Sequence, residues 1–253
     1  MVFSLLIKFL FLNLMIKIIL FIFRLSLFFI SYLIYYLNIL FLFFNFKNIS
    51  KEIFIFSAYL CSLSLGIEYK IKKKSKDFVL KEGIHIVNHD SPLDIFVAQC
   101  FFQIPTITTV DNHLNKILPF FKKVLVNFGH FNFDHLDFNE RRLAYNFLLQ
   151  KSSIDKKILI FPSGSIYTSI KKRFSKSIAK LSLKNELDVI AWKISFKEKE
   201  NNLVKYDKNL FRFLLERFLS EKIIFEVNDV NIFPHKRFIK EKDLHKILSD
   251  FYI

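Results

Sequence analysis

What this sequence lacks narrows it before any motif does. Only 4 glycines and 5 prolines punctuate 253 residues, and a single tryptophan stands against 34 phenylalanines. There are two cysteines, Cys61 and Cys100. With no partners at metal-ligand spacing and no disulfide framework around them, they exclude a disulfide-stapled scaffold and fit a reducing compartment. No His, Cys or carboxylate cluster has ligand spacing either, so no metal is expected. No repeat, disordered linker or nucleic-acid-binding motif is present, and nucleic acid is not an expected partner. The abundance of Phe, Ile, Lys and Asn is the bias an AT-rich genome imposes. Rare residues therefore carry the information, and two of the four glycines, Gly129 and Gly164, fall inside polar clusters.

Acidic residues are missing from the whole of Met1 to Phe46, where only Lys8, Lys17 and Arg24 interrupt an apolar run. Leu25 to Phe46 has 22 residues without a charge, enough to cross ~30 Å of hydrocarbon. Met1 to Phe23 is also apolar but carries two lysines, so one span with an interfacial helix and a helical hairpin both fit. The run is too long for a cleavable signal peptide and no small-residue cleavage site follows. Lys47, Lys51 and the basic run Lys70 to Lys76 come next. By the positive-inside rule they place the remainder on the cytoplasmic face of a membrane. The expected division is a hydrophobic membrane anchor over 1–46, a basic juxtamembrane segment over 47–77 and a folded domain over 78–253. Lys and Arg number 38 against 23 acids, a net charge of +15. By sign alone the partner is anionic, which admits nucleic acid, a lipid headgroup, or a phosphorylated substrate or carrier, and bases under a membrane anchor without a nucleic-acid motif disfavour the first.

After the anchor, strand and helix patterns alternate. Strands are expected at Ile84 to Val87, Thr106 to Val110, Val124 to Phe133, Lys157 to Phe161, Val189 to Ser195 and Ile223 to Val227. Helices are expected at Leu93 to Phe102, Asn139 to Leu149, Phe174 to Asn185, Lys208 to Leu219 and Lys242 to Phe251. Asp137 with Glu140 makes a capping box before the second of these. The interleaving reads as an α/β domain with helices on a mostly parallel or mixed sheet, behind an N-terminal hydrophobic helical membrane anchor.

The chemistry concentrates in Val87 to Asp94, V-N-H-D-S-P-L-D, where an apolar run ends in polar side chains. A histidine at a strand end and an aspartate five residues on, in the next helical turn, suit a general base and the group that orients it. The same residues have a structural reading. Ser91 can cap a helix opened by Pro92, which lacks the N–H that position would waste. Asp94 then completes an S-x-x-D capping box. The two roles compete for one carboxylate, whose two oxygens allow both. Three further clusters follow at sheet–helix junctions: G-H-F-N-F-D-H at 129–135, F-P-S-G-S at 161–165, and the apolar strand Leu187 to Ile194 bearing Trp192 and Lys193.

In order and spacing over roughly Gly83 to Ser195, these four clusters resemble the glycerolipid acyltransferases, the family of 1-acylglycerol-3-phosphate O-acyltransferase. The first motif of that family is N-H-x4-D and the third is F-P-E-G-T-R. The resemblance implies a glycerol-3-phosphate acyltransferase-like fold for 78–253 and acyl transfer from acyl-CoA or acyl-carrier protein to the free hydroxyl of lysophosphatidic acid. No cofactor beyond that acyl donor is implied. His89 would be the catalytic base and Asp94 its partner, and backbone N–H groups around Gly164 would face the oxyanion. Where this sequence departs, it departs in the basic positions: Ser163, Ser165 and Ile166 stand for the third motif's Glu, Thr and Arg, and His135 for a common Arg of the second. Asp111 stands where a lysine is frequent, and the closing strand lacks both of its prolines. Substrate contacts are therefore assigned to Ser163, Gly164, Ser165, His135, Lys171, Lys172 and Arg173. The last three also read as a solvated charge run, Ser163 and Ser165 as a turn before a helix, and Gly129 with Asp134 as another turn. Altered phosphate-binding positions leave other acceptors open, namely glycerol 3-phosphate, another lysophospholipid or an amino-acid lipid. A non-catalytic protein that binds anionic lipid is the rival from another class.

Overall fold

A computed structural model of the chain describes residues 2–71, 73–89, 91–102, 107–111, 120–134, 137–154, 156–162, 176–198, 210–220 and 222–252. The elements run α1 (Val2–Phe43), α2 (Lys47–Ser64), β1 (Ile67–Lys70), α3 (Lys73–Val79), β2 (Gly83–Val87), α4 (Asp94–Phe101), β3 (Ile107–Asp111) and α5 (Phe121–Asn127). They continue with β4 (Phe131–Phe133), α6 (Phe138–Lys151), β5 (Lys157–Ile160), α7 (Ser177–Asn185), β6 (Val189–Lys197), α8 (Leu210–Leu219), β7 (Ile223–Phe233) and α9 (Glu241–Tyr252). The strands form one sheet in the order β1-β7-β6-β2-β5-β3-β4. Every described pairing is parallel except β6 with β7, which is antiparallel. The fold is therefore a mixed α/β sheet flanked by helices.

Strand β2 occupies the middle, all five of its residues buried, as expected of a strand covered on both faces. Ile84 and Ile86 point into a cluster with Ile158, Val189, Ala191, Ile178 and the Leu244 and Leu248 face of α9. On the other face Val87 joins Leu93, Val97, Phe102, Trp192 and Phe225. His85 is buried among these without charge. Its Nδ1 accepts from Trp192 Nε1–H at 3.1 Å and its Nε2–H donates to the Lys81 carbonyl at 2.8 Å. Burial pushes its pKa down to about 4.

One expected strand divides into the end of a helix, a turn and a short strand. Val124 to Phe133 reads as β-branched and aromatic, yet Phe121–Asn127 is helical and only Phe131–Phe133 is strand. Val124, Leu125 and Phe128 share one helical face against Tyr35, Leu42 and Phe54, so tertiary packing overrides propensity. The helix closes at Gly129, with φ of +82°. Gly129 N–H donates to Val126 O at 3.0 Å and His130 N–H to Leu125 O at 2.9 Å, the pair of bonds that ends a helix on a left-handed residue.

The apolar N-terminus is one helix, and by length and composition Phe9–Phe43 is sufficient to cross a membrane. Its two halves differ. Every residue from Phe9 to Leu20 is exposed, whereas Phe21, Leu25 and Phe28 pack on the domain core. Tyr35 and Leu42 then bury against α2 and α5. The uncharged stretch Leu25–Phe46 is thus the half that docks on the domain, because its apolar spacing fits a protein surface as well as lipid. The hairpin is made with α2, where the Ser50 hydroxyl donates to the Asn38 side chain. The segment 47–77, expected as a basic stretch under the anchor, holds α2, edge strand β1 and α3.

Arg24 fixes the middle of α1. Its guanidinium donates to the Arg217 carbonyl at 3.0 Å and also to those of Phe218 and Ser220. These are among the last carbonyls of α8, at the negative end of its dipole. Gly66, with φ of +75°, leaves room for this contact, since a Cβ there would lie 2.6 Å from Arg24 Nη2.

Candidate active site

At the carboxyl ends of parallel strands, where open α/β sheets bind ligands, β2 delivers its next two residues to one place. Asn88 substitutes for a further rung of the ladder. Its Nδ2 donates to Ile194 O at 2.9 Å and its Oδ1 accepts from Ile194 N–H at 2.7 Å. With Asn88 clamped to β6, the chain turns away and presents His89.

The turn keeps one arm of the S-x-x-D box, the carboxylate on the serine N–H, while the Asp94 N–H goes to the Ser91 carbonyl at 3.1 Å instead of to the hydroxyl. Ser91 Oγ accepts from Leu93 N–H at 3.2 Å, and the Asp94 carboxylate accepts from Ser91 N–H at 3.1 Å. Regular helix opens at Asp94 rather than Pro92, with Pro92 and Leu93 forming the preceding turn. The same oxygen of Asp94, Oδ2, also receives Nδ1–H of His89 at 2.8 Å. Capping and orienting are therefore concurrent on one atom. The Asp94 side chain is 1% exposed and that of His89 25%, an inner carboxylate behind an accessible ring. Burial raises the Asp94 pKa, opposed by the hydrogen bond and charge of His89 and by the Ser91 N–H. Each member supports the other: these donors favour the charged carboxylate against its burial, and a charged Asp94 sets the ring with its proton on Nδ1, leaving Nε2 as the basic nitrogen.

The third cluster reaches this pair. Strand β5 runs beside β2, with Ile86 opposite Ile160, and the Phe161 ring lies 4.8 Å from that of His89. Ser163, Gly164, Ser165, Lys171, Lys172 and Arg173 follow, outside the described residues, as is His135. The second cluster sits by the outer strands β3 and β4. There Gly129 serves as a helix terminator, and buried His130 accepts from Thr108 N–H at 3.3 Å. The Asp134 N–H donates to the Glu140 carboxylate. Asp137 caps α6 as expected, accepting from Asn139 N–H at 2.6 Å and Glu140 N–H at 3.2 Å. Glu140 thus reaches Asp134 instead of closing the box on Asp137. Trp192 of the fourth cluster is core, and Lys193 Nζ donates to Phe251 O at 3.5 Å. Among the described residues no group of three His, Cys, Asp or Glu side chains could hold a metal ion.

Sequence reasoning gave Asn88 and Phe161 no individual role. A polar residue directly after a buried strand was the available signal for Asn88. For Phe161 there was none, since its contact with His89 exists only through the pairing of β2 with β5.

A comparison with curated proteins finds no match. Among solved structures the chain is similar to the 1-acyl-sn-glycerophosphate (LPA) acyltransferase PlsC from Thermotoga maritima. The TM-score is 0.56 and the identity 14%, over 90% of this chain and 94% of that one. At that identity the likeness speaks for the fold. The sequence pattern of the Acyltransferase family matches residues 67–223, more than half of the chain and all of the region around His89 and Asp94. This chain belongs to the Acyltransferase family.

Proposed function

We propose that the chain transfers a fatty acyl group from acyl-CoA or acyl-carrier protein to the free hydroxyl of lysophosphatidic acid, making phosphatidic acid at a membrane. The observation that carries this reading is the 2.8 Å bond between His89 Nδ1 and buried Asp94, which makes Nε2 a positioned base. The acceptor hydroxyl gives its proton to His89 Nε2 as its oxygen attacks the thioester carbonyl. The tetrahedral intermediate collapses with loss of the thiolate, which takes the proton back from the imidazolium and leaves as thiol. Asp94 holds the tautomer and stabilises the cation. General-base catalysis of this kind contributes ~10² to 10⁴ in rate.

An apolar cavity of about 800 Å³ between α1, α2, β1 and the last turn of α4 supports a lipid substrate. It is lined by Leu63, Ile67, Val79, Leu80, Cys100 and Phe101, among others. Cys100 lies roughly 9 Å along α4 from Asp94 at 1.5 Å per residue, which suits an acyl chain whose reacting end is at His89. Phosphate recognition is assigned to His135, Lys171, Lys172 and Arg173 and the turn Ser163, Gly164 and Ser165. The net charge of +15 suits donors and acceptors that are all anionic. Helix α1 anchors the chain, and Lys47 with Lys51 puts the domain on the cytoplasmic side. Ile166 in place of the third motif's arginine favours a second reading, the same chemistry on another acceptor.

The test is acyl transfer from labelled acyl-CoA and acyl-carrier protein to lysophosphatidic acid, glycerol 3-phosphate and other lysophospholipids, using membranes that hold the wild-type chain or His89→Ala. Transfer to lysophosphatidic acid by wild type alone is the expected result. Transfer only to a different acceptor would replace the acceptor, and undiminished transfer by His89→Ala would remove His89 as the base.

A further inference from the structure

Helix α9 lies on the face of the sheet opposite the Trp192 cluster and packs through Leu244 and Leu248, which are buried against Ile84, Ile86, Val189 and Ala191. Continued by the same four-residue step, that apolar face arrives at Tyr252. Its ring is packed against the same cluster, but its hydroxyl is delivered to the backbone between β2 and β6. There Tyr252 O–H donates to Ile86 O at 2.7 Å, and the hydroxyl oxygen accepts from Trp192 N–H at 3.2 Å. The Trp192 carbonyl is 3.1 Å away.

The location matters because the ladder ends here. Val87 and Trp192 are the last register partners of β2 and β6, and the next link is the side chain of Asn88 on Ile194. Two side chains from distant parts of the chain therefore clamp consecutive positions at the strand end from which His89 projects. Asp94 is held separately, at the start of α4. The 2.8 Å contact between the two thus depends on the end of β2 staying where Tyr252 and Asn88 hold it.

We infer that Tyr252 is a positioning residue for the acyl-transfer reaction, acting with Asn88 to fix the end of β2 and so the alignment of His89 with Asp94. This rests on the reading of His89 as the base. The hydroxyl touches no reacting atom, and its effect belongs in turnover rather than in substrate binding. Misplacing a catalytic group by ~1 Å costs up to about 10²-fold.

The experiment measures kcat and KM for acyl transfer from acyl-CoA to the preferred acceptor in detergent-solubilised full-length protein, comparing wild type with Tyr252→Phe, Asn88→Ala and the double variant, each with its thermal unfolding. Tyr252→Phe keeps the ring and removes only the hydroxyl. The expected result is a fall in kcat of about 10-fold or more with KM within about twofold and the unfolding transition retained. Because both clamps hold one element, the double variant should lose less than the product of the two single losses, as coupled residues do. Wild-type kcat in Tyr252→Phe, or strictly multiplicative losses, would overturn the inference. If His89→Ala retains turnover, the assignment of the base has failed. If His89→Ala is inactive and Tyr252→Phe is unaffected, only the positioning role has failed.

Discussion

Asp94 Oδ2 receives both Ser91 N–H and His89 Nδ1–H, so a substitution there separates two functions that the sequence leaves merged. Asparagine keeps an oxygen for Ser91 N–H, but its amide no longer stabilises an imidazolium and can impose the wrong ring tautomer. For Asp94→Asn, kcat should fall by ~10² to 10⁴ with the unfolding temperature within a few degrees of wild type, since the helix start retains its acceptor. Measured turnover alongside a thermal scan checks this. A parallel collapse of both would mean that Asp94 acts mainly as a cap. At this scale the contact of the pair was legible, because a strand end followed by a serine-led turn into a helix brings His89 and Asp94 together. Tyr252 was not legible, since its partners Ile86 and Trp192 are 166 and 60 residues away.

Among the elements, the inner strands β2, β5 and β6 were readable because strands with mostly buried residues are short apolar runs set off by residues such as Gly83 and Pro162. Strand β1 was hidden for the opposite reason. It is an edge strand of four residues, of which only Ile67 is buried, inside a segment dominated by lysine. Helix α5, F-K-K-V-L-V-N, was misread because so short a run of valine and leucine carries no period that separates helix from strand. Arg24 was counted as an interruption of an apolar run, yet it joins α1 to α8. Replacing it with leucine leaves the Arg217, Phe218 and Ser220 carbonyls without their cationic donor. The expected cost for Arg24→Leu is about 1.5 to 3 kcal/mol, the range for hydrogen bonds to a charged group. Hydrogen exchange should show it first as faster exchange in α8. Exchange in α8 equal to wild type would refute it.

Across the whole molecule, acid should loosen the fold at sites other than the His89–Asp94 pair. His85 and His130 both have pKa values pushed down to about 4, by burial, from the usual 6.5. Above pH 6.5 each is neutral folded or unfolded. Between about 6.5 and 4 the unfolded chain takes up a proton at each position and the folded chain does not, so stability falls as pH falls through that window. The loss is about 1.4 kcal/mol per pH unit for each histidine. Unfolding in detergent at pH 7 and pH 5 should therefore differ, and His130→Gln should remove roughly half of the difference due to this pair. An unchanged difference would mean that His130 is protonated without cost. Helix α1 sets a second property of the whole. It runs without interruption from its exposed apolar half into the half that Arg24, Phe21, Leu25 and Phe28 tie to the core. The apolar segment and the domain therefore share one continuous helix instead of being joined by a tether. On the proposed reading of α1 as a membrane anchor, the elevation and tilt of His89 above the bilayer would be built into the architecture, and the acceptor would be met at one fixed height.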